Sequence, residues 1–96
     1  MYSLIIKPRA ILMTKEAYIW YEKQKPGLGE EFLKELDSHY DQLQLHPEYH
    51  GKIKSNFRQT ALKRFPYVVV FEIMQNEVVV FSVFHTKRNP KLKFKD

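Results

Sequence analysis

Two apolar, β-prone runs decide the fold of this chain, and both lie within residues 65–85, FPYVVVFEIMQNEVVVFSVFH. The first run covers Phe65 to Ile73 and the second covers Val78 to His85. Aromatic and β-branched residues favour extended backbone because their side chains pack well on a pleated surface. Asn76-Glu77 lies between the runs at a plausible hairpin turn, where Asn tolerates a positive φ. The stretch predicts two antiparallel strands that are apolar on both faces, so both faces need cover.

Four further elements precede this stretch, and Pro and Gly residues mark the ends of the first three. These three are a strand over Tyr2 to Lys7, a helix over about Ala10 to Gln24 and a second helix over Leu28 to Leu43. Pro8 ends the strand, Pro26-Gly27 ends the first helix and His46-Pro47 closes the second, because these residues interrupt regular backbone. Lys52 to about Leu62 alternates imperfectly and predicts a strand that contains a bulge.

The order of these elements predicts a single α+β domain over residues 1–96. An N-terminal strand and a helical hairpin are followed by a three-stranded antiparallel meander, and the helices pack on one side of the sheet. A chain of 96 residues supports one core of marginal stability, so a bound partner or oligomerisation would help it. Trp20 and Tyr21 fall on the apolar stripe of the first helix, which predicts that both lie in the core.

Charge divides the chain unevenly. Residues 1–51 hold six Lys/Arg and eight Asp/Glu, a net −2, whereas residues 52–96 hold ten and three, a net +7. Such a basic half favours phosphate or an acidic protein as a partner.

The chain has no cysteine, which excludes disulfides and thiolate metal sites and fits a cytoplasmic protein. No apolar run approaches the ~20 residues that span a bilayer, so we expect no membrane association.

Four segments, taken together, resemble the RelE/ParE toxin superfamily along nearly the whole chain. They are Ala17 to Gln24 (AYIWYEKQ), Pro26 to Phe32 (PGLGEEF), Leu45-His46-Pro47, and Arg58 with Arg64-Phe65-Pro66-Tyr67 and His85-Thr86-Lys87-Arg88-Asn89-Pro90. The fourth segment is the most specific, and it is more similar to ParE-like plasmid stabilisation proteins than to RelE-like ribonucleases. The resemblance implies two helices against a curved antiparallel sheet, which agrees with the fold predicted from the residues alone.

The resemblance implies the toxin of a type II toxin–antitoxin pair. Its partner would be a small cognate antitoxin that wraps it, and a homodimer or a toxin–antitoxin hetero-oligomer is expected. One branch of the superfamily poisons DNA gyrase without known nuclease chemistry, and the other cuts mRNA in the ribosome. Val68 stands where the ribonuclease branch tends to carry arginine, and Phe94 stands where it often has tyrosine or histidine. These departures favour the gyrase branch; the alternatives are a ribosome-dependent endoribonuclease and a non-toxic protein- or RNA-binding module.

Candidate site residues come mainly from the basic half. Arg58, His85 and Arg88 are the catalytic candidates if the protein is a nuclease, because histidine shuttles protons near neutrality and arginine clamps phosphate. Target or phosphate binding is assigned to the other cations, namely Lys52, Lys54, Arg64, Lys87 and Lys91. Structural roles stay open as well: a backbone hydrogen bond for His85 and carboxylate pairing for Arg58 and Arg88.

Antitoxin contacts are assigned to Tyr18, Ile19 and Phe71. Tyr18 and Ile19 point away from the buried stripe of the first helix, as partner contacts should. No cofactor is expected. The histidines at positions 39, 46 and 50 do not predict a metal site, because Pro47 separates the last two and no carboxylate or cysteine completes a ligand set.

Overall fold

The computed structural model describes residues 1–87 of the chain. These residues form two α-helices and five strands in the order β1, α1, α2, β2, β3, β4 and β5, with a short 3₁₀ helix after α2. The bounds are Ser3–Ile6 for β1, Pro8–Gln24 for α1, Leu28–Leu45 for α2, Pro47–Tyr49 for the 3₁₀ helix, Lys52–Lys54 for β2, Phe57–Ala61 for β3, Tyr67–Met74 for β4 and Glu77–His85 for β5.

The five strands form one sheet in the order β1-β5-β4-β3-β2. β1 pairs with β5 in parallel, and every other neighbouring pair is antiparallel. The long strands β4 and β5 lie at the centre, as the two apolar runs predict, because only central strands need apolar residues along their whole length. The predicted α+β class, with a strand, a helical hairpin and then antiparallel strands, is confirmed.

The segment 52–62 differs from the prediction of one bulged strand. It forms the two short strands β2 and β3, so the antiparallel part of the sheet has four strands. Ser55 turns the chain between them with a φ of 50°. A left-handed residue is usually Gly, Asn or Asp, and for this reason the turn has a weak signature in the sequence. An irregular register between Lys52 and Lys54 accompanies the turn.

A β-bulge at Phe81 lets β5 serve both faces of the sheet. The flanking pairs are Val70 with Ser82 and Phe71 with Val80, which leave Phe81 as an extra residue. An extra residue reverses the alternation of side chains along the rest of a strand. The valines on the helix side are consequently Val78 and Val80 before the bulge and Val83 after it.

The main core lies between the two helices and one face of the sheet. The stripe that α2 buries consists of Phe32, Leu36, Tyr40 and Leu43. Four aromatic rings meet at the centre of this core with centroid separations between 4.9 and 6.2 Å; they belong to Tyr21, Phe32, Phe65 and Tyr67. Burial of one large apolar side chain stabilises a fold by roughly 1.5–3 kcal/mol, so this cluster ties α1 and α2 to β4.

The second face of the sheet is covered within the chain. Val68, Val70 and Phe84 are buried there, and Met13 and Phe57 pack against them. On the helix side Phe71 has an exposed fraction of 0 %. Its ring therefore has no surface to offer an antitoxin, and the contact predicted for Phe71 is not available in this fold.

The carboxylate of Glu22 closes the turn between the helices. It accepts hydrogen bonds from the backbone N–H groups of Gly27 (3.1 Å), Gly29 (2.8 Å) and Glu30 (3.3 Å). Backbone N–H groups at the start of a helix have no partner within the helix and favour a negative charge. Glu22, near the end of α1, thus serves as the N-terminal cap of α2 and fixes the angle between the two helices.

Candidate functional site

A cleft of ≈ 650 Å³ opens between α1 and the adjoining ends of β4 and β5. Its lining includes Glu16, Trp20, Pro66, Tyr67, His85 and Lys87, and we call it the Trp20 cleft. The volume is within the range of roughly 300–1,000 Å³ that small-molecule sites occupy. The first and the fourth of the segments that resemble the toxin superfamily, distant in sequence, meet in this cleft.

Trp20 is exposed, contrary to the prediction that it lies in the core. The exposed fraction of its side chain is 57 %, whereas Tyr21 is buried. Adjacent residues on a helix are separated by about 100° around the axis, so Trp20 lies at the edge of the buried stripe that Tyr21 occupies. The indole packs edge-on against the Tyr21 ring, with centroids 5.1 Å apart and an interplanar angle of 86°. This contact holds the indole at the wall of the cleft.

His85 ends β5 on the opposite wall. Its ring meets that of Tyr67 edge-on, with centroids 5.0 Å apart. The Nδ1 atom of His85 accepts a hydrogen bond of 3.1 Å from the backbone N–H of Lys87, so the neutral imidazole carries its proton on Nε2. The same bond curls the chain after β5 and places Lys87 in the lining of the cleft.

The cations of β2 and β3 lie away from the Trp20 cleft, toward the far edge of the sheet. Lys52 is the register partner of Arg58, and both Lys52 and Lys54 are exposed. The Nη1 of Arg58 donates a hydrogen bond of 2.6 Å to the carbonyl oxygen of His50. Burial lowers the pKa of the His50 imidazole below 6.5, and the nearby His39 and Arg58 side chains add to this effect. Arg58 therefore fastens the loop after α2 to the sheet, through a carbonyl and not through a carboxylate.

Arg58 and His85 are not brought together. On β4 their register partners are Phe71 and Tyr67, which are four residues apart. Four residues extend about 13 Å along a strand, and two strand spacings add about 10 Å sideways, so the two Cα atoms are about 16 Å apart. A phosphate group would meet both side chains only if each extended toward the other, whereas Arg58 is hydrogen-bonded to the His50 carbonyl.

Arg64 connects the β3–β4 loop to α2. Its Nη2 lies 2.6 Å from Oε1 of Glu31, and its guanidinium lies 5.5 Å from the centre of the Phe65 ring. The hydrogen bond and the charge of Arg64 lower the pKa of the Glu31 carboxyl. Both partners are exposed, so the pair adds little to stability and leaves the Arg64 guanidinium at the surface.

Glu35 makes a second connection between α2 and the same loop. Its carboxylate accepts hydrogen bonds from the backbone N–H of Lys63 and, at 3.1 Å, from that of Arg64, and it lies 3.3 Å from Nε2 of His39. Burial alone would raise the pKa of this carboxyl. The three hydrogen-bond partners outweigh burial, and the pKa lies below the usual 4.5. Glu35 and Glu31 together hold the loop that leads into the Trp20 cleft.

An apolar groove of ≈ 380 Å³ runs between α1 and α2 on the side of α1 away from the Trp20 cleft. Its lining includes Ile11, Tyr18, Leu33 and Tyr40. Tyr40 is 6 % exposed, and its hydroxyl has no hydrogen-bond partner among the residues that the structure describes. Ile19, whose exposed fraction is 42 %, lies one residue beyond Tyr18 on α1. We call this feature the α1–α2 groove.

Some predictions fall outside the described residues. Arg88 and Lys91, together with the departure at Phe94, belong to positions 88–96, which the structure does not describe. Within residues 1–87, no group of three His, Cys, Asp or Glu side chains is arranged to hold a metal ion. No helix in that part of the chain has the length and apolarity needed to cross a membrane.

The comparisons with known proteins identify the family. Residues 4–90 match the family model described as ParE toxin of type II toxin-antitoxin system, parDE. Because the match spans most of the chain, this protein belongs to the ParE toxin family of type II toxin–antitoxin systems. An antitoxin is accordingly its expected partner. The comparison with curated protein sequences found no match.

Solved structures share the fold. A chain of the chromosomal ParDE TA system from P. aeruginosa is similar with a TM-score of 0.79 and 18 % identity, over 91 % of this chain and 98 % of that chain. The isolated E. coli RelE toxin is similar with a TM-score of 0.69 and 18 % identity, over 96 % of this chain and 92 % of that chain. The resemblance inferred from the four sequence segments is therefore confirmed at the level of fold and family.

Proposed function

We propose that this protein arrests bacterial growth in the cytoplasm by binding DNA gyrase. The observation that carries the proposal is the match to the ParE toxin family over residues 4–90. The net charge of +7 on residues 52–96 is consistent with a target that is itself bound to DNA. Lys52, Lys54 and Lys87, all exposed, are the proposed cations for target or phosphate contact.

The placement of two of the three nuclease candidates, Arg58 and His85, disfavours mRNA cleavage by this pair. Arg58 donates a hydrogen bond to the His50 carbonyl, and the strand geometry places its Cα about 16 Å from that of His85. RNA cleavage needs a base, an acid and a cation around one phosphate. One observation supports the ribosome-dependent alternative: Lys52 faces Arg58 across β2 and β3, and two adjacent cations suit a phosphate.

Inducible expression in a bacterial host tests the proposal. We expect growth arrest with DNA breaks and an SOS response, relieved when the small open reading frame beside the gene is co-expressed. Purified protein should also trap gyrase on plasmid DNA as a cleaved complex. Codon-specific cuts in translated mRNAs without DNA breaks would assign the ribosome as the target. Unimpaired growth with abundant folded protein would instead favour a non-toxic binding module.

We propose that the antitoxin seats an apolar segment in the α1–α2 groove and contacts Tyr18 and Ile19 there. The groove is assigned to an antitoxin because the family to which this protein belongs consists of toxins from toxin–antitoxin systems. The groove offers apolar walls, and the buried Tyr40 hydroxyl has no acceptor among the described residues. A buried donor without a partner is unfavourable, so a segment that brings a carbonyl or carboxylate oxygen to Tyr40 would gain affinity. The toxin and antitoxin would then form a hetero-oligomer.

A further inference from the structure

We propose that the Trp20 cleft binds a nucleobase together with its phosphate. This goes beyond the proposed toxin function, because the binding would hold whether gyrase or the ribosome is the target. The cleft combines flat aromatic surfaces, polar side chains and a cation within one space of ≈ 650 Å³. Each of these three properties restricts the chemistry of the ligand.

The walls of the cleft suit a flat ring. Trp20 is 57 % exposed and is held by its edge-on contact with Tyr21. Pro66, which is exposed, and the edge-to-face pair of Tyr67 and His85 form the other side. Every nucleobase has a π-face that stacks on an indole, and proteins that bind single strands use exposed aromatic side chains for this purpose. The indole therefore provides a stacking surface that an aliphatic ligand would use poorly.

The polar groups in the cleft disfavour an apolar side chain of a protein as the ligand. Glu16, His85 and Lys87 line it beside the aromatic rings. An apolar anchor would remove water from the Glu16 carboxylate and the Lys87 ammonium and give them no hydrogen bonds in return, which is unfavourable. A nucleobase edge offers both donors and acceptors. Glu16 accepts from an exocyclic amine, and the imidazole of His85 exchanges a hydrogen bond with a ring nitrogen or carbonyl.

The position of Lys87 matches the phosphate of such a ligand. The hydrogen bond from its backbone to Nδ1 of His85 keeps Lys87 next to the imidazole. Its ammonium is a mobile point charge on a long stem, so it can follow a phosphate at the mouth of the cleft while the base lies on Trp20. The basic composition of residues 52–96 adds a field of the same sign. The ring of the ligand is thus matched by Trp20, the polar edge of its base by Glu16 and His85, and its phosphate by Lys87.

Trp20 is the only tryptophan of the chain, so its fluorescence reports directly on the cleft. The full-length protein is titrated at physiological salt with AMP and, separately, with an unstructured DNA oligonucleotide of about ten nucleotides. We expect saturable quenching. Quenching by AMP would identify free nucleotides as ligands. Quenching by the oligonucleotide only would identify single-stranded nucleic acid as the ligand. Either result supports the proposal.

Matched variants separate the cleft from general electrostatics. Lys87→Ala is compared with Lys15→Ala, an exposed lysine on the opposite side of α1. Trp20→Ala is compared with Tyr49→Ala, an aromatic residue that is 76 % exposed outside the cleft, using the anisotropy of a labelled oligonucleotide. We expect the cleft variants to bind roughly tenfold more weakly and the controls to match the wild type. Circular dichroism melting confirms that each variant is folded.

Three results would overturn the proposal. The first is the absence of saturable quenching by both probes. The second is an equal loss of affinity in Lys87→Ala and Lys15→Ala, which would reduce the binding to nonspecific charge attraction. The third is quenching by the antitoxin or by gyrase with no response to either nucleotide probe, which would assign the cleft to a polypeptide. None of these results bears on growth arrest, so the proposed toxin function is tested separately.

Discussion

Gly29 leaves no space for a methyl group at the contact between α1 and α2. A Cβ atom at this position would lie 2.7 Å from Cγ of Glu22 and 2.7 Å from the carbonyl oxygen of Tyr18. We expect Gly29→Ala to lower the free energy of unfolding by about 1–3 kcal/mol, because the helices must separate or the Glu22 cap must move. Gly51→Ala is the control, since nothing lies within 4 Å of its Cβ position. Urea denaturation checks both, and equal stability of the two variants would contradict the tight contact.

The hydroxyl of Tyr40 is a buried polar group on the wall of the α1–α2 groove. Burial raises the pKa of Tyr40, and the hydroxyl has no partner within the described part of the chain. Tyr40→Phe removes a buried polar group that gains nothing in the free toxin, so the free energy of unfolding should rise or stay constant, within about 1 kcal/mol. Affinity for the antitoxin should fall several-fold by calorimetry. A marked loss of stability would show that the hydroxyl already has an acceptor.

The exposure of Trp20 could not be predicted from helical periodicity. Helical periodicity places it at the edge of the stripe that contains Tyr21, which is buried as predicted, and Ala17, which is also buried. Whether an edge position is covered depends on the distance to the next element, which periodicity does not contain. Two of the segments that resemble the toxin superfamily supply residues of the cleft, so part of its lining could be predicted from the sequence. The exposure of its indole is visible only in three dimensions.

Glu35 makes the attachment of α2 to the β3–β4 loop depend on pH. The pKa of its carboxyl in the folded state lies below 4.5, its ordinary value. A lowered folded-state pKa stabilises the fold fully above the ordinary value, and the stabilisation is lost as the pH falls through the folded-state pKa. We expect Glu35→Gln to lower the free energy of unfolding by about 2 kcal/mol at neutral pH, and the difference from wild type to shrink below pH 4.5.

Denaturation at a series of pH values checks this dependence. Asp41→Asn, an exposed acidic residue on the same helix, is the matched control and should change little at any pH. A Glu35→Gln difference that stays constant from neutral to acidic pH would mean that the lost stability comes from packing and not from ionisation. The hydrogen bonds to Lys63 and Arg64 would then be of minor energetic importance.

The strands show which elements a sequence pattern defines well. β4 and β5 are long and apolar, and their existence and pairing follow from their composition. Their turn lies at Gln75-Asn76, one residue before the predicted Asn76-Glu77, and the residue with a positive φ is Gln75 (58°) and not Asn76. The hairpin of β2 and β3 is not evident, because its turn uses Ser55 at a positive φ and its strands are short. The bulge at Phe81 could not be predicted either, because a continuous apolar run does not show where the side chains change from one face of the sheet to the other. A continuous apolar run therefore predicts that a strand exists. It does not predict which side chains face each side of the sheet or how the strand pairs with its neighbours.

At the scale of the whole molecule, α1 separates two different surfaces. One side of the helix borders the polar and aromatic Trp20 cleft, and the other borders the apolar α1–α2 groove. The fold thereby permits a target and an antitoxin to occupy separate surfaces. Inhibition by the antitoxin would then depend on steric cover or on rigidifying α1, and direct competition for the same residues would not be required. The melting temperature of the toxin–antitoxin complex can be used to test this arrangement.

Antitoxin binding should raise the melting temperature of the toxin strongly. A domain of this size is marginally stable, and a ligand at a hundred times its Kd adds about 2.7 kcal/mol. For a domain of 60–100 residues that gain corresponds to a shift of roughly 10–20 °C. Differential scanning fluorimetry of the toxin, alone and with the purified antitoxin, measures the shift.

Two isoleucines of equal exposure show whether the shift originates at the α1–α2 groove. Ile19 is 42 % exposed beside the groove, and Ile53 is 41 % exposed on β2 at the far edge of the sheet. Ile19→Gln and Ile53→Gln remove similar apolar surface, so their own melting temperatures should stay close to that of the wild type. Only Ile19→Gln should lose a large part of the antitoxin-induced shift, because the lost contact lies at the proposed interface. A larger loss in Ile53→Gln would place the antitoxin on the edge formed by β2.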